Sequence, residues 1–281
     1  MNIITTADEM RAWSFAQRRA ERSIGFVPTM GALHEGHASL MRAAAERDGA
    51  AVASIFVNPT QFAPNEDYSQ YPRTFDADCA LADRSGVHTI YVPHAKAMYS
   101  EGYSTYVNVE RVSEGLCGKS RPQFFRGVAT VVTKLFNAVQ PDRAYFAQKD
   151  AHQCAVIRRM TRDLDFPIEI VEMPIVREAD GLAMSSRNRY LNPEERTRAV
   201  CLSRGLFKAR TLMESGERVA AAIIAAARDE LKDVEVDYVE LVAADTFTPV
   251  ARVEGAVTLV VAAWVGKARL IDNIKFEDCN A

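Results

Sequence analysis

The segment spanning residues 24–57 constrains the fold most. An apolar run at 24–27 leads into a loop of proline, glycine and histidine, then an alanine-rich stretch at 38–47, then a second apolar run at 51–57. Strand, helix and strand in that order predict a βαβ unit, and runs so poor in polar alternation need helices over both faces. The pattern continues downstream. Strand-like runs at 88–92, 144–147 and 168–171 are interleaved with helix-like stretches at 75–84, 128–138 and 152–163, which predicts a mainly parallel sheet covered by helices. Residues 105–109 alternate in a way that suits an edge or interface strand better than a buried parallel one.

The texture changes after Arg177. A polar loop over 178–190 precedes Asn192, Pro193, Glu194 and Glu195, which match an N-cap, a first-turn proline and first-turn acids. Ala199, Leu202, Leu206, Ala209 and Met213 then recur at helical spacing, and Val219, Ile223, Ala227 and Leu231 mark one face of a second helix expected over 218–232. Strand-like runs at 236–242 and 257–265 follow, with Gly266-Lys267 as a hairpin turn into 268–271. The expected architecture is α/β: a Rossmann-like, mainly parallel sheet with helices on both faces over residues 1–177, and a smaller α+β domain over 178–281.

Charge and cysteine content remove several function classes. With 34 Lys+Arg against 37 Asp+Glu the net charge is −3, and nothing marks the whole chain as an electrostatic binder of nucleic acid or anionic membrane. The longest plain apolar run, 259–265, has seven residues. A spanning helix needs roughly 18, so no membrane span is expected, and Asp8 and Glu9 near the start speak against a secretory signal. Cys79, Cys117, Cys154, Cys201 and Cys279 are odd in number and include no C-x-x-C pair. They read as reduced thiols of a cytoplasmic protein, not as a disulfide framework or a cysteine zinc site.

The chemistry concentrates in the loop after the first apolar run, Pro28-Thr29-Met30-Gly31-Ala32-Leu33-His34-Glu35-Gly36-His37. Between a buried strand and a helix, unpaired backbone N–H groups and the helix dipole favour an anion such as phosphate. Gly31 and Gly36 remove Cβ atoms where a ligand or a sharp turn needs room, and His34 and His37, three apart, can share one face of the first turn. On the residues alone the pair reads as two donors to polyphosphate oxygens, as two satisfied side chains at a helix entry, or as half of a metal site that lacks a third ligand at recognised spacing. This turn holds no G-x-G-x-x-G, which disfavours a dinucleotide-dependent dehydrogenase.

The same segment resembles the HxGH motif of the nucleotidyltransferase superfamily, and its fuller wording is similar to the pantothenate synthetase, or pantoate–β-alanine ligase, family. Further stretches extend the resemblance in order: Ser54-Ile55-Phe56-Val57-Asn58-Pro59-Thr60-Gln61-Phe62, Asn65-Glu66-Asp67-Tyr68 with Tyr71-Pro72-Arg73-Thr74, Arg126-Gly127-Val128, Lys149-Asp150 with Gln153, and Met184-Ser185-Ser186-Arg187-Asn188. It runs from Val27 to Asp272. What it implies is ATP-dependent condensation of pantoate with β-alanine to pantothenate, releasing AMP and pyrophosphate through a pantoyl adenylate, with Mg²⁺, in a homodimer acting on small molecules. A carboxylate is a poor acylating agent, so its oxygen must first become part of a good leaving group, and the charge that builds on phosphate calls for positioned cationic donors.

Residue roles follow by the same resemblance. Lys149 is the fixed cation over the phosphates, and Ser185, Ser186 and Arg187, with Met184 before them, close over ATP from the second domain like a degenerate KMSKS loop. Met30, His34, His37, Ala147 and Val176 complete the ATP contacts, and Asp150 takes the ribose hydroxyls. Gln61 and Gln153 hold pantoate as neutral amides, which bind a hydroxyl and a carboxylate without the tight ion pair that would blunt the nucleophile. Met30, Val131, Val132 and Phe146 face its methyl groups. Arg121 and Tyr71 are candidates for the β-alanine end, where an arginine can pair with a carboxylate. Arg126, just before a glycine at an expected helix start, reads as a helix-entry residue or a phosphate ligand. Without the family, Lys149 is a solvated charge, 185–188 a loop, Asp150 half of a surface ion pair, and Val131 and Val132 helix core.

Two positions depart from the family pattern Phe-Gly-x-Lys-Asp-x-Gln-Gln, here Phe146-Ala147-Gln148-Lys149-Asp150-Ala151-His152-Gln153. Ala147 adds a methyl where the nucleotide approaches the backbone, and His152, in place of the first glutamine, is expected to be structural. Three competing classes remain. Another adenylyltransferase of the superfamily, with a phosphorylated acceptor, would call for additional cations. A catalytically silent nucleotide-binding module would have no need of His34, His37 and Lys149. A tRNA synthetase would need an anticodon-reading domain for which 281 residues leave little room.

Overall fold

The computed structural model describes residues 1–63 and 68–277, so Asn65, Glu66, Asp67 and Cys279, singled out above, lie outside the described residues. The chain divides into two compact units, one of residues 1–147 and 156–174, the other of 148–155 and 175–281. Passage into the second unit thus follows Pro174 where the sequence suggested Arg177, and the second unit also takes the short segment after Ala147.

Six strands form the sheet of the first unit: β1 (Asn2–Ile4), β2 (Ile24–Thr29), β3 (Ala50–Ile55), β4 (Thr89–Tyr91), β5 (Arg143–Ala147) and β6 (Glu169–Met173). Their order is β1-β4-β3-β2-β5-β6, and every neighbouring pair is parallel. The helices are α1 (Ala7–Arg19), α2 (Glu35–Arg47), α3 (Phe75–Arg84), α4 (Ala95–Met98), α5 (Cys117–Ser120), α6 (Phe124–Val139) and α7 (Ala151–Asp163). Val27, Ala51, Ala53 and Tyr145 pack beneath Leu40, Met41 and Ala44 of α2 and Ala82 of α3. The next residue in the pleat, Phe26, points the other way and meets Phe136 of α6 edge-on at 6.4 Å, where Ser14 of α1 donates to the Val139 carbonyl at 2.7 Å. Helices therefore cover both faces, as two apolar strands without polar alternation require.

From β2 the chain builds outward through β3 to β4, then crosses to β5 and β6 on the other side. The strand order reverses between β2 and β5, and the loops at the carboxyl ends of such strands are where open parallel sheets bind ligands. Two differences from the sequence expectation stand out. Residues 105–109 form no ladder among the described residues, because the Val107 N–H is taken by Thr130 Oγ1 of α6 at 3.0 Å. The opening β1 and α1 are additions, and α1 carries a signal that periodicity overlooks: Thr6 Oγ1 accepts from the Glu9 N–H and donates to Glu9 Oε2.

In the second unit β7 (Glu235–Ala243), β8 (Ala256–Val265) and β9 (Ala268–Glu277) form an antiparallel sheet with β8 central. Val265 pairs with Ala268 across the Gly266-Lys267 turn. Against this sheet pack α8 (Pro193–Ala199), α9 (Cys201–Glu214) and α10 (Ala220–Arg228), with Leu202, Leu206, Met213 and Ile223 meeting Leu259, Val261 and Leu270 in one core. Asn192 and Glu195 form the capping box of α8. The single helix expected through Met213 is interrupted at Val200, whose carbonyl accepts from both Ser203 Oγ and the Arg204 N–H. α10 is shorter than 218–232 because Arg218 and Val219 are extended and pair with residues 251–253.

Candidate active site

β2 ends at Thr29, and the turn into α2 depends on Gly31. Gly31 lies at φ +83° and Ala32 at φ +50°, and a Cβ on Gly31 would stand 3.0 Å from Asp78 Oδ2 and 3.1 Å from Ile55 Cγ2. The turn is held from α3. Asp78, 2% exposed, accepts from the Ala32 N–H at 3.0 Å, the Leu33 N–H at 2.8 Å and the Thr74 hydroxyl at 3.0 Å. Sequence reasoning gave Asp78 no role. Its signal is an acid on the buried side of an amphipathic helix, where a carboxylate must find donors.

His34 is the N-cap of α2. Its Nδ1 accepts from the Gly36 N–H at 3.2 Å, and His37 Nδ1 accepts from the His34 N–H at 3.3 Å, a reciprocal cap built from two imidazoles. The ring centroids are 4.1 Å apart, tilted by 44°. With Nδ1 accepting, the proton of each neutral ring sits on Nε2, so capping the helix and donating to a ligand are one arrangement. Among the described residues no group of three or more His, Cys, Asp or Glu could hold a metal ion.

After β3 a short turn, Pro59–Gln61, is capped by Asn58. Asn58 is buried; its Nδ2 donates to Gln61 Oε1 at 3.0 Å and to the Gly127 carbonyl at 3.1 Å, and its Oδ1 accepts from the Tyr99 hydroxyl at 2.7 Å. Asn58 thereby fixes the Gln61 amide with its oxygen engaged and its Nε2 3.1 Å from Met30 Sδ. Two residues expected at pantoate are thus neighbours. Burial pushes the Tyr99 phenol up to about 12, against the pull of its Thr60 and Asn58 hydrogen bonds, and keeps it a donor. α6 lies so close to this turn that a Cβ on Gly127 would collide with the Thr60 carbonyl. Asn58 and Tyr99 were missed as positioning residues; the Asn-Pro dipeptide was the available signal for the first.

Other expected residues are placed less suggestively. Val131, Val132 and Phe146 are buried in the first unit, and Ala147 ends β5 half-buried. Arg121 donates to the Gln61 carbonyl at 3.1 Å and lies 3.9 Å over the Phe124 ring, so it braces the Gln61 backbone. Tyr71 is buried against Phe62, ring centroids 6.0 Å apart, and Arg126 lies 4.3 Å over the Tyr106 ring.

In the second unit, Lys149 and Asp150 close a short turn after β5, with Lys149 Nζ 3.8 Å from Asp150 Oδ1. Gln153 stands half-buried in the first turn of α7 beside His152, which stacks on Phe247 at 4.6 Å. Val176 and Met184 meet where the Met184 N–H donates to the Val176 carbonyl at 3.0 Å, at the base of a small hairpin closed by the Arg177–Ala183 bridge. Ser185 follows directly. Its Oγ accepts from the Arg187 N–H at 3.3 Å and caps the turn Ser186–Tyr190. Asn188 donates to Glu178 Oε1 at 2.7 Å and to the Ala183 carbonyl at 3.1 Å, and Arg196 clamps Glu178 and Asp180. The Arg196 hydrogen bond holds the Glu178 carboxyl below the usual glutamate range, against burial and helped by Asn188.

A family model for pantoate-beta-alanine ligase matches residues 2–275. The chain belongs to the pantoate–β-alanine ligase family. Pantothenate synthetases of Pseudothermotoga lettingae and Moorella thermoacetica are each 52% identical to it, over 97% and 99% of this chain and 98% and 99% of theirs. Among solved structures, pantothenate synthetase from Thermus thermophilus matches with a TM-score of 0.92 at 44% identity, covering 98% of this chain and 99% of that one. The pantoate-beta-alanine ligase of Francisella tularensis, solved in complex with beta-gamma ATP and beta-alanine, matches with a TM-score of 0.78 at 29% identity, covering 98% and 97%. Membership in the pantoate–β-alanine ligase family makes this chain an enzyme that joins pantoate to β-alanine, on the parallel sheet and small antiparallel sheet described above.

Proposed function

We propose that this ligase works in two steps through a pantoyl adenylate, with MgATP as the activating substrate. A pantoate carboxylate oxygen attacks the α-phosphorus, the bond from that phosphorus to the bridging oxygen breaks, and pyrophosphate leaves. The amine of β-alanine then adds to the acyl carbon, loses a proton, and AMP departs. The observation that carries this reading is the imidazole cap at the carboxyl end of β2. His34 and His37 spend Nδ1 on backbone N–H groups and present Nε2 as the donor, beside the point where the strand order reverses. The Francisella relative in complex with beta-gamma ATP and beta-alanine supports the choice of nucleotide and amine.

In this reading Lys149, Ser185, Ser186 and Arg187 stabilise the charge that grows on the phosphates, with Met30, Ala147, Val176 and Met184 around the adenosine and Asp150 at the ribose. Gln61 and Gln153 hold pantoate over Val131, Val132 and Phe146; Tyr71 and Arg121 serve the β-alanine end. Mg²⁺ brought with ATP would neutralise phosphate charge. The family resemblance supports a cytoplasmic homodimer. Cys79, Cys117, Cys154 and Cys201 form no disulfide, and no described helix is long and apolar enough to cross a membrane.

Isotope exchange tests the mechanism. Labelled pyrophosphate is expected to enter ATP when pantoate and Mg²⁺ are present and β-alanine is not. No exchange in a folded sample that binds ATP and makes pantothenate in the full mixture would replace the adenylate with a concerted reaction.

A further inference from the structure

Two neighbouring side chains on β9 hold both chain segments of the second unit that carry the proposed phosphate-handling groups. Asn273 is 2% exposed. Its Nδ2 donates to the Gln148 carbonyl at 2.8 Å and to the Lys149 carbonyl at 3.0 Å, while its Oδ1 accepts from Gln148 Nε2 at 3.2 Å. Both amide hydrogens and the amide oxygen are thus spent on the two residues that set the main chain at Lys149. Asp272, with 1% of its side chain exposed, accepts from both terminal nitrogens of Arg177, at 2.6 and 3.0 Å, and from the Asn273 N–H at 2.8 Å. Arg177 also donates to the Gly181 carbonyl at 3.1 Å. It therefore ties β9 to the hairpin that ends at Met184 and delivers Ser185–Ser186–Arg187.

Stability alone gives a poor account of this arrangement. A buried ion pair is often no more stabilising than apolar residues of the same shape, because both charges lose their water. Burial pushes the Asp272 carboxyl up, and the Arg177 fork, the Asn273 N–H and the Lys149 charge oppose that. An arrangement this costly is better explained by what it orients. Asn273 offers its side-chain donors to one particular segment, the main chain at Gln148 and Lys149. The flexible Lys149 side chain then starts from a fixed main chain, so less of its entropy is lost when it meets a phosphate.

We propose that Asn273, braced by Asp272, is a positioning residue for the adenylation step, acting through the main chain of Lys149. This rests on the role given to Lys149 above. A general loss of packing would slow both half-reactions and would add to the loss of Lys149; a positioning role would do neither. The test is pantoate-dependent pyrophosphate exchange, measured alongside the attack of β-alanine on preformed enzyme-bound adenylate. Asn273→Ala, with an unchanged circular dichroism spectrum, is expected to slow exchange about 10- to 100-fold through kcat, the scale that misplacement of a catalytic group by about 1 Å produces. KM for pantoate and the amine step stay within about twofold of wild type. In a Lys149→Ala background the same substitution is expected to change nothing further, the non-additivity of residues that act as one unit. Gln148→Ala, which removes only the acceptor's partner on the partly exposed side, supplies a milder variant if Asn273→Ala fails to fold, with a smaller slowing of exchange alone. Wild-type exchange in the folded variants, or full multiplication of the two effects in the double mutant, would overturn the proposal. Wild-type exchange in Lys149→Ala itself would remove the Lys149 assignment and the proposal with it.

Discussion

The two ends of the first unit's sheet use polar side chains in opposite ways. At the amino ends of β2, β5 and β6, carboxylates and arginines neutralise one another. Asp48, its side chain fully buried, takes Arg143 at 2.5 Å and the Tyr145 hydroxyl at 2.6 Å; Glu169 takes Arg143 at 3.1 Å and Arg47 at 2.9 Å; Asp142 accepts the Ile24 N–H at 2.7 Å. At the carboxyl ends the polar groups meet backbone and neutral side chains instead of opposite charges. His34 and His37 engage the backbone through Nδ1, Gln61 engages Asn58 through its oxygen and Met30 Sδ through its nitrogen, and the buried carboxylate of Asp78 is spent on N–H groups of the turn itself. An end whose charges are matched within the chain has little to offer a polyanion. An end built of helix-entry N–H groups, imidazoles and amides is rich in hydrogen-bond donors, and that is where a nucleotide gains most.

The sharpest way to break this contrast is to remove one imidazole. His37→Ala is expected to lower pantoate-dependent exchange by about 10²-fold or more, about 3 kcal/mol of transition-state stabilisation. Both imidazoles cap as well as donate, and at the N-cap, His34, two substitutions separate the duties. His34→Ala loses the helix cap as well, about 1 kcal/mol of stability, whereas His34→Asn keeps a capping acceptor and loses only the imidazole donor. Exchange should fall similarly in both, and urea denaturation should separate them. If His34→Asn exchanged at the wild-type rate, the imidazole would be a cap and nothing more.

At the other end the effect should move entirely to stability. Asp48→Ala takes the acceptor from the Tyr145 hydroxyl and leaves Arg143 with Glu169 as its remaining partner. A loss of about 2–3 kcal/mol in urea denaturation is expected, below the full cost of orphaning a buried charge because Arg143 is 26% exposed. The rate per folded molecule should not change. A folded Asp48→Ala protein with slowed adenylation would show that the two ends are coupled.

How much of this contrast the sequence discloses differs between the ends. The carboxyl end announces itself, because a turn between strand and helix with Gly31, His34 and His37 is local in the chain and its motif words are contiguous. The supports are not. Asp78 stands more than forty residues from the N–H groups it holds, and Asn273 more than a hundred from Lys149. Such pairs are set by tertiary packing, which periodicity does not encode. The same limit explains residues 105–109: their alternation suits a strand, yet a side chain of α6 claims the backbone donor that a ladder would have used. α10, Ala220–Arg228, falls short of the 218–232 its periodicity predicts for a related reason. Its apolar face continues in sequence, but Arg218 and Val219 are drawn into pairing with residues 251–253.

The smallest expected effect measures how far burial governs the worth of a matched charge. Glu178 is paired with Arg196 as Asp48 is with Arg143, but its side chain is 29% exposed where that of Asp48 is fully buried. The Arg196 hydrogen bond lowers its folded-state pKa below the unfolded one. A depressed carboxyl pKa contributes stability that is complete above the unfolded value and disappears as pH falls through the folded one. Wild type should therefore exceed Glu178→Gln in stability at neutral pH by under about 1 kcal/mol, the range of a partly solvated pair. The gap should close as pH is taken from about 6 to about 3. Thermal unfolding of both proteins across that range checks it, since titrations common to the two cancel in the difference. A gap that stayed constant to low pH would mean that Glu178 contributes through packing and its neutral hydrogen bonds, and that pairing with Arg196 adds nothing at this exposure.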